Sequence, residues 1–336
     1  MMGFASAQAI LQSATMSKLT LALAAALALL GVAAAQAQTY PTRAVRAIVA
    51  FAPGGVTDTF ARLMAQRLSE DLGKQFYVDN VPGATGNIGT AQAAKAAPDG
   101  YTLLFAFSSY VVNPTLFDKI PYDPEKDLDP VTLAVTSATV LTVNPLVPAR
   151  SVKELVELIK ANPGKYSYSS AGVGTQAHLA GEQFRLSLGL DLVHVPFNGG
   201  APAIGAVVGG HTPIGFGSPA ASLPQIQQGN VRALAITGAK RSRILPDVPT
   251  MAEAGYPQIQ GDTWVGVMVP AGTPKDIIVL LNREIAKIIA TPDMQARLTE
   301  LGYEPVASSP EEFARRIKTE IATWAGVIRA AHIKPE

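Results

Sequence analysis

The stretch Val45-Arg-Ala-Ile-Val-Ala-Phe51 leads directly into Ala52-Pro-Gly-Gly-Val-Thr-Asp58, and these residues decide the fold. The first segment is apolar enough to be a buried strand, and Pro-Gly-Gly marks a turn. Apolar residues at helical spacing then predict an amphipathic helix over residues 57–72, which Gly73 ends. A strand, a glycine turn and a helix in this order form the repeating unit of α/β folds.

The same order recurs later in the chain. Lys165-Tyr-Ser-Tyr-Ser-Ser170 is a predicted strand, Ala171-Gly-Val-Gly174 is a turn, and a helix follows from Thr175. The start of a helix presents unpaired backbone N–H groups and about half a positive charge, so it can bind an anion without lysine or arginine. Two such units predict two lobes that hold one small anion from opposite sides.

The remaining sequence also alternates strands with helices, which predicts mainly parallel sheets. Ser151-Val-Lys-Glu154 predicts a capping box at the start of a helix. Thr273-Pro274 places proline at the first position of another helix, and Ser309-Pro310 with Glu312 opens the last one. Further strands are predicted at residues 75–80, 101–107, 190–197, 213–216, 231–237 and 264–269.

Two long extended stretches, residues 130–144 and 260–269, have no helix beside them, and we interpret them as crossovers between the lobes. Lobe 1 is then residues 38–139 plus 262–336, and lobe 2 is residues 140–261. The predicted fold is α/β, with two mixed sheets flanked by helices and joined by two crossover strands. Two crossing strands form a hinge that can close.

The first 37 residues are predicted to be a secretory signal peptide. Lys18 precedes an apolar run, and Ala35-Gln-Ala37 matches the small-residue cleavage pattern. The run is short for a membrane anchor. Met16 is a plausible start of translation.

Composition excludes several classes of function. The formal net charge of the whole chain is +1, and Lys18 is the only charged residue in the signal segment, so the mature chain is balanced. A balanced chain offers no electrostatic footprint for nucleic acid or an anionic membrane. The absence of cysteine excludes disulfides and thiol chemistry, and suits the periplasm. The four histidines are scattered without metal-ligand spacing, and neither G-x-S-x-G nor S-x-x-K occurs.

Several ordered motifs resemble one family across the whole mature chain. They are Tyr40-Pro-Thr-Arg, Phe51-Ala-Pro-Gly-Gly-Val-Thr-Asp58, Pro82-Gly-Ala-Thr-Gly-Asn-Ile-Gly89, Pro98-Asp-Gly-Tyr-Thr-Leu103, Ser169-Ser-Ala-Gly-Val-Gly-Thr175, His194-Val-Pro-Phe-Asn-Gly199, Asp247-Val-Pro-Thr250 and Pro270-Ala-Gly-Thr-Pro274. The family is the Bug, or TctC-type, substrate-binding proteins of tripartite tricarboxylate transporters.

The resemblance implies a two-lobed, type II-like periplasmic binding protein that is not an enzyme. It would capture a small organic carboxylate in the cleft between the lobes and deliver it to the subunits of a membrane transporter. In the family, turns from both lobes hold the carboxylates through backbone N–H groups, small hydroxyls and water. We expect a periplasmic monomer with no cofactor, no metal, no nucleic acid partner and no membrane insertion once the signal peptide is removed.

The resemblance also implies site residues, carried over position by position. In the first lobe they are Phe51 as an apolar wall, Gly54, Gly55, Thr57, Asp58, Ser108 and Ser109. In the second lobe they are Gly172, Gly174, Thr175, His178, Phe197, Gly199 and Gly200. Gly83 and Gly86 would shape a turn at the edge of the cleft; their spacing is not that of a dinucleotide fingerprint.

Two departures weaken the case for an amino-acid ligand. Asn198 stands where relatives often carry lysine, and Gly217-Ser218 stands where they often carry aspartate, which leaves Asp58 and Asp262 as partners for an ammonium group. His178 is either a ligand contact or a half-buried histidine satisfied by its neighbours. Trp264 either stacks on the ligand or lies in the core.

Two other functions remain open from the sequence. The protein could report its ligand to a membrane signalling system instead of a transporter, or it could be an exported enzyme acting on a carboxylate. The chemical identity of the carboxylate is also open, because backbone turns recognise carboxylates generically.

Overall fold

The computed structural model describes residues 40–335, of which those from Arg43 onward form one compact unit. The predicted signal peptide, residues 1–37, lies outside the described residues. The strands are β1 Val45–Val49, β2 Phe76–Asn80, β3 Thr102–Phe107, β4 Leu128–Ala138, β5 Val140–Val143, β6 Tyr166–Ser170, β7 Leu192–Pro196, β8 Ile214–Gly217, β9 Arg232–Ile236, β10 Asp262–Pro270 and β11 Glu304–Pro305.

The strands form two mixed sheets. The first sheet has six strands in the order β11-β4-β10-β3-β1-β2, and the second has five in the order β7-β6-β8-β5-β9. In each sheet three neighbouring strands run parallel: β2, β1 and β3 in the first, and β7, β6 and β8 in the second. The predicted α/β fold with two mixed sheets flanked by helices is confirmed.

The helices cover both sheets. They are α1 Val56–Leu72, α2 Asn87–Ala94, α3 Ser109–Leu116, α4 Val152–Ala161, α5 Gln176–Leu188, α6 Gly200–Val208, α7 Pro219–Gln227, α8 Lys275–Ile289, α9 Pro292–Glu300 and α10 Pro310–Ala330. Helix α1 begins one residue before the predicted start and ends as predicted. Helices α3, α7 and α9 were not predicted.

The chain passes between the sheets twice. Strand β4 of the first sheet ends at Ala138 and β5 of the second begins at Val140, while β10 returns the chain to the first sheet at Asp262. Ala138 pairs with Asp262, so the two crossings lie side by side. The predicted lobe boundaries, 139/140 and 261/262, lie at the start of β5 and at the start of β10. That these boundaries separate two units that move relative to each other stays a prediction.

Two predicted helix starts differ in detail. Ser151 caps α4 by accepting from the N–H of Glu154, but the Glu154 carboxylate accepts from the Arg150 N–H, so the capping box is incomplete. Pro274 is the N-cap of α8 and not its first helical residue, because ψ is 133°. The capping box of Ser309 and Glu312 at the start of α10 is complete.

The core of the first lobe contains both tryptophans. Trp264 is fully buried, packs edge-on against Phe313, and donates from Nε1 to Glu320 on α10 at 2.8 Å. It is therefore a core residue at the start of β10, as one of the two interpretations held. Leu179 of α5 packs in the same cluster, so a helix of the second lobe is anchored on the first.

Candidate ligand site at the strand ends

The parallel strands of the first sheet bring their carboxyl ends to one edge. Val49 at the end of β1 pairs with Asn80 of β2, and on its other side with Phe105 of β3. Residues 52–55, which we name the first turn, therefore lie beside the end of β2 and the end of β3. The predicted first-lobe residues share this edge because of strand order, although they are far apart in the chain.

The first turn is held from below by the carboxylate of Asp58. This carboxylate is buried and accepts from the Gly54 N–H at 2.9 Å, from Arg62 Nε at 3.0 Å and from Asn80 Nδ2 at 2.9 Å. Burial acts to raise the pKa of Asp58, but the hydrogen bonds from Arg62, Gly54 and Asn80 outweigh it, so the pKa lies below its ordinary value. Asp58 is therefore ionised at neutral pH, and the Gly54 N–H is already occupied.

The start of α1 is open. Gly55 is the N-cap and has no side chain to cap the helix, so the first N–H groups of α1 have no partner within the helix. Thr57, in the first turn of the helix, is buried. Phe51 packs edge-on against Phe107 with ring centroids 5.4 Å apart, and it forms an apolar wall beside the turn.

Ser108 and Ser109 open a helix rather than simply ending a strand. Ser108 is the buried N-cap of α3, and Ser109 donates to the Thr85 carbonyl at 3.2 Å.

The glycines of the neighbouring loop have structural reasons for their identity. Gly86 has φ of 92°, and a Cβ at Gly89 would lie 2.7 Å from the Val81 carbonyl oxygen. This packing explains why both positions are glycine and supports a turn at the edge of the site.

The second sheet repeats the arrangement. We name residues 171–175, which follow β6, the second turn. The Phe197 N–H donates to the Ser170 carbonyl at 3.0 Å, and the Gly199 N–H donates to the Ala171 carbonyl at 3.2 Å. These bonds place the loop after β7 directly against the second turn, and Gly200 then begins α6. The predicted residues Gly172, Phe197 and Gly199 are thereby brought together.

The second turn closes on its own side chains. Thr175 is the N-cap of α5: its hydroxyl accepts from the His178 N–H at 3.3 Å and donates to the Gly172 carbonyl at 2.7 Å. The Gly174 N–H donates to His178 Nδ1 at 3.1 Å. The Gly174 N–H and the Thr175 hydroxyl, both expected to face the ligand, thus have partners within the turn.

Two stacked histidines lie beneath the second turn. The rings of His178 and His194 are parallel within 11°, with centroids 3.8 Å apart, and His194 Nε2 lies 2.7 Å from the Ser170 hydroxyl. Burial lowers the pKa of each histidine to about 4, and for His194 the neighbouring His178 adds to the effect. Both rings are neutral at neutral pH. His178 is buried and its Nδ1 accepts from the Gly174 N–H, and its contact with a ligand stays a prediction.

The second turn touches the first lobe. A Cβ at Gly174, whose φ is 73°, would lie 3.0 Å from Leu116 Cδ2. Leu116 ends α3, the helix that begins at Ser109, and a helix of this length spans roughly 10 Å. The distance between Ser109 of the first lobe and Gly174 of the second lobe is therefore about the length of a small ligand.

Four supporting residues were missed from sequence. Asn80 also donates to the Phe51 carbonyl at 3.0 Å, and Arg62 Nη2 donates to Asn80 Oδ1 at 2.9 Å. Arg62 was accessible from sequence, because a charge four residues after Asp58 faces it on a helix. Asn80, Ser170 and His194 required the strand register.

Two cavities lie away from the first and second turns. One of about 700 Å³ is lined by Arg150, Arg232 and Glu253 of the second lobe, and one of about 650 Å³ is lined by Gln183, Asp262 and other residues beside the crossings. Burial raises the pKa of Asp262 to about 6, although Arg316 opposes this effect. The candidate site thus rests on converging turns rather than on the size of a cavity.

Within residues 40–335, no three His, Asp or Glu side chains are grouped to hold a metal ion. Of the helices in the same residues, none combines the length and hydrophobicity that a membrane span requires.

The fold and the paired turns define a two-lobed binding protein, and comparison with known proteins gives its family. Residues 60–333 match the model of the tripartite tricarboxylate transporter family receptor, TctC, so the chain belongs to this family of periplasmic solute-binding proteins, which are not enzymes. The resemblance noted in the sequence is confirmed.

Individual relatives agree with this assignment. The chain is 39% identical to protein BugT of Bordetella pertussis over 322 residues, which is 95% of this chain and 99% of BugT. A structure of an R. palustris protein with adipate has 35% identity and a TM-score of 0.73, and covers 88% of this chain and 100% of its own. MatC of Rhodopseudomonas palustris with bound malate has 32% identity and a TM-score of 0.69, and covers 86% of this chain and 100% of its own.

Proposed function

We propose that this protein captures a small organic carboxylate between the first and second turns and delivers it to a tripartite tricarboxylate-type transporter. The observation that carries the proposal is the convergence of two strand–turn–helix units, one from each sheet, whose helix starts favour an anion. The neutral rings beneath the second turn leave the positive end of α5 uncompensated.

Dicarboxylates are the first ligands to consider. Adipate and malate accompany two structural neighbours, and both carry two carboxylates separated by a short chain. A ligand with two anionic ends suits two helix starts in different lobes. An amino acid suits the site less well, since the Asp58 carboxylate is already engaged by Arg62 and Asn80.

A thermal-shift screen followed by calorimetry tests the proposal. The screen contains adipate, malate, citrate and aromatic monocarboxylates, with the amides of adipate and malate as uncharged controls. A ligand present at 100 times its Kd adds about 2.7 kcal/mol to the free energy of unfolding, which raises Tm measurably. Recovery of the ligand unchanged excludes turnover. Equal shifts with the acids and their amides would refute carboxylate recognition.

We further propose that the mature protein resides in the periplasm after cleavage behind Ala37. The pattern Ala35-Gln-Ala37 after an apolar run motivates this site. Intact mass of the protein from a periplasmic extract should correspond to a chain that begins at Gln38. A retained N-terminal segment would contradict the signal peptide.

Delivery implies that the lobes close on the ligand. If each lobe contributes one turn, the ligand binds the closed form more tightly than the open form and shifts the equilibrium toward it. The radius of gyration from small-angle scattering should therefore fall at saturating ligand. Tight binding without a change in scattering would indicate a preformed site. A transporter role predicts ligand-dependent uptake in membrane vesicles, whereas a sensor predicts none.

A further inference from the structure

The two crossings between the lobes meet at one hydroxyl group. Thr139, between β4 and β5, donates its N–H to Thr237 Oγ1 at 2.9 Å. The same oxygen donates its proton to the carbonyl of Gly261, just before β10, at 2.5 Å. The Thr237 N–H also donates to the Thr139 carbonyl at 2.9 Å, which extends the pairing of β5 with β9 by one residue.

This hydroxyl is engaged by both crossings. A threonine hydroxyl has one proton to donate, and here that proton bonds the second crossing while a lone pair accepts from the first. Thr237 is 1% exposed and Thr139 is 3% exposed, so both threonines are buried where the crossings meet. A buried pair of this kind is stronger and more costly to break than an exposed one.

The second crossing has little freedom beside this hydroxyl. A Cβ at Gly261 would lie 2.7 Å from Gln176 Nε2 and 2.7 Å from the Trp324 ring. Gln176 belongs to α5 of the second lobe and Trp324 to α10 of the first. Gly261 is thus held between the lobes on one side and tied to Thr237 on the other.

We infer that Thr237 is the positioning residue that makes the two crossings move as one hinge. We name the two hydrogen bonds of the Thr237 hydroxyl, from the Thr139 N–H and to the Gly261 carbonyl, the tie. With the tie in place, a rotation of the backbone at Thr139 carries Gly261 with it, and the lobes open along a single path. Without it, only the β4–β10 pairing that ends at Ala138 and Asp262 joins the crossings, and the lobes also twist. The inference rests on the proposed function only in requiring that the lobes move.

Distance measurements between the lobes test the inference without ligand. The chain has no cysteine, so Lys74→Cys and Lys160→Cys, both at exposed positions, allow a single pair of spin labels on the two lobes. In this labelled protein Thr237→Val, which removes both side-chain bonds at nearly constant shape, should broaden the inter-lobe distance distribution at least about twofold. Thr237→Ser keeps the hydroxyl and should retain the narrow distribution.

Thr132→Val is the matched control. Thr132 is fully buried in β4 and donates to the Ser308 carbonyl at 2.8 Å, within the first lobe. This variant should lose stability without broadening the distribution. An unchanged distribution in Thr237→Val, or equal broadening in Thr132→Val, would reduce Thr237 to a structural residue and overturn the inference.

Hydrogen exchange of the unaltered protein decides the matter if Thr237→Val does not fold. The tie requires the Thr139 amide to exchange as slowly as that of Leu141 in β5. Exchange faster by about tenfold or more would show that the tie opens independently of the sheet, and would overturn the inference. Since neither measurement uses a ligand, failure of the carboxylate screen would leave both results unaffected.

Discussion

The first turn and the second turn come from the same strand–turn–helix plan, yet different chemistry holds them. Beneath the first turn lies an ionised carboxylate, Asp58, bonded to Arg62 and Asn80. Beneath the second turn lie two neutral imidazoles: His178 Nδ1 accepts from the Gly174 N–H, and His194 Nε2 lies beside the Ser170 hydroxyl. The first network is charged and the second is neutral.

This difference changes what each helix start offers an anion. Asp58 is an acidic residue in the first turn of α1 and offsets part of the positive end of that helix, whereas α5 has no acidic residue in its first turn. Conversely, α1 has no side-chain cap, and α5 is capped by Thr175. We expect the second turn to supply more of the electrostatic attraction, and the first turn to supply free N–H groups.

The largest expected effects come from valine at one glycine of each turn. Gly174→Val should lower the free energy of unfolding by about 2 kcal/mol, because φ is 73° and Leu116 lies close. It should also weaken carboxylate binding by about 100-fold or more, because it distorts the turn that we expect to supply more of the electrostatic attraction. Gly55→Val should weaken binding by about tenfold with little change in stability, since φ is −75° and its Cβ has room. Calorimetry and denaturant unfolding measure both quantities.

Gly189→Ala serves as the control for strain alone. Gly189 ends α5 with φ of 60° and a Cβ there would meet nothing within 4 Å, so this variant should lose stability and keep its affinity. Equal affinity losses in the two valine variants would contradict the expectation that the second turn supplies more of the electrostatic attraction. Unchanged affinity in both would place the anion elsewhere.

The next effect concerns the charged network. Asp58→Asn should lower the free energy of unfolding by about 2 kcal/mol, because a carboxamide cannot satisfy the three donors that the carboxylate accepts from. The pKa of Asp58 is held below its ordinary value, so its contribution is complete at neutral pH and is lost only in acid, as pH falls through that lowered pKa.

Asp71→Asn is the control on the same helix. Asp71 is exposed and pairs with Lys287 at 3.0 Å, and an exposed pair contributes little. Urea unfolding at pH 7 should separate the two variants clearly. Equal losses would mean that the first turn is not held by Asp58.

The neutral network predicts a distinct pH dependence. In the folded state the pKa of both His178 and His194 is about 4, below the ordinary 6.5, so the unfolded chain binds protons first as pH falls. Stability is therefore full above about pH 6.5 and falls as the pH is lowered toward 4. Replacing both histidines with glutamine should flatten the Tm profile in this range, while His211→Gln, at an exposed position, should not. A flat profile in the unaltered protein would contradict burial of the rings.

The smallest effect tests the cap. Thr175→Ala removes the hydroxyl that caps α5 and should lower the free energy of unfolding by about 1 kcal/mol. Thr319→Ala, an exposed mid-helix hydroxyl that bonds the Arg315 carbonyl, should be nearly neutral. If Thr175→Ala instead lost affinity with unchanged Tm, the hydroxyl would contact the ligand directly, as the family resemblance implies.

Most of the elements were predictable because their signals are local. Each signal involves residues that are close together in the chain. Examples are the apolar spacing of α1, the glycines that follow the strands, and the capping pair Ser309 and Glu312. Helices α3 and α7 were missed because each follows a strand end that looks like a turn, at Ser108 and at Ser218. Both hydroxyl residues are N-caps, and their sequence signal is too short to separate a cap from a loop.

The sequence by itself determined the class of protein, most of the strands and helices, and the two turns that carry the candidate site. These follow from periodicity, glycine and proline positions, and ordered motifs. The tertiary structure alone decided which N–H groups in the turns are already occupied, that His178 stacks on His194, and that Thr237 links the crossings. Such contacts join residues from different strands and helices, and their geometry depends on register and packing, which no local pattern encodes.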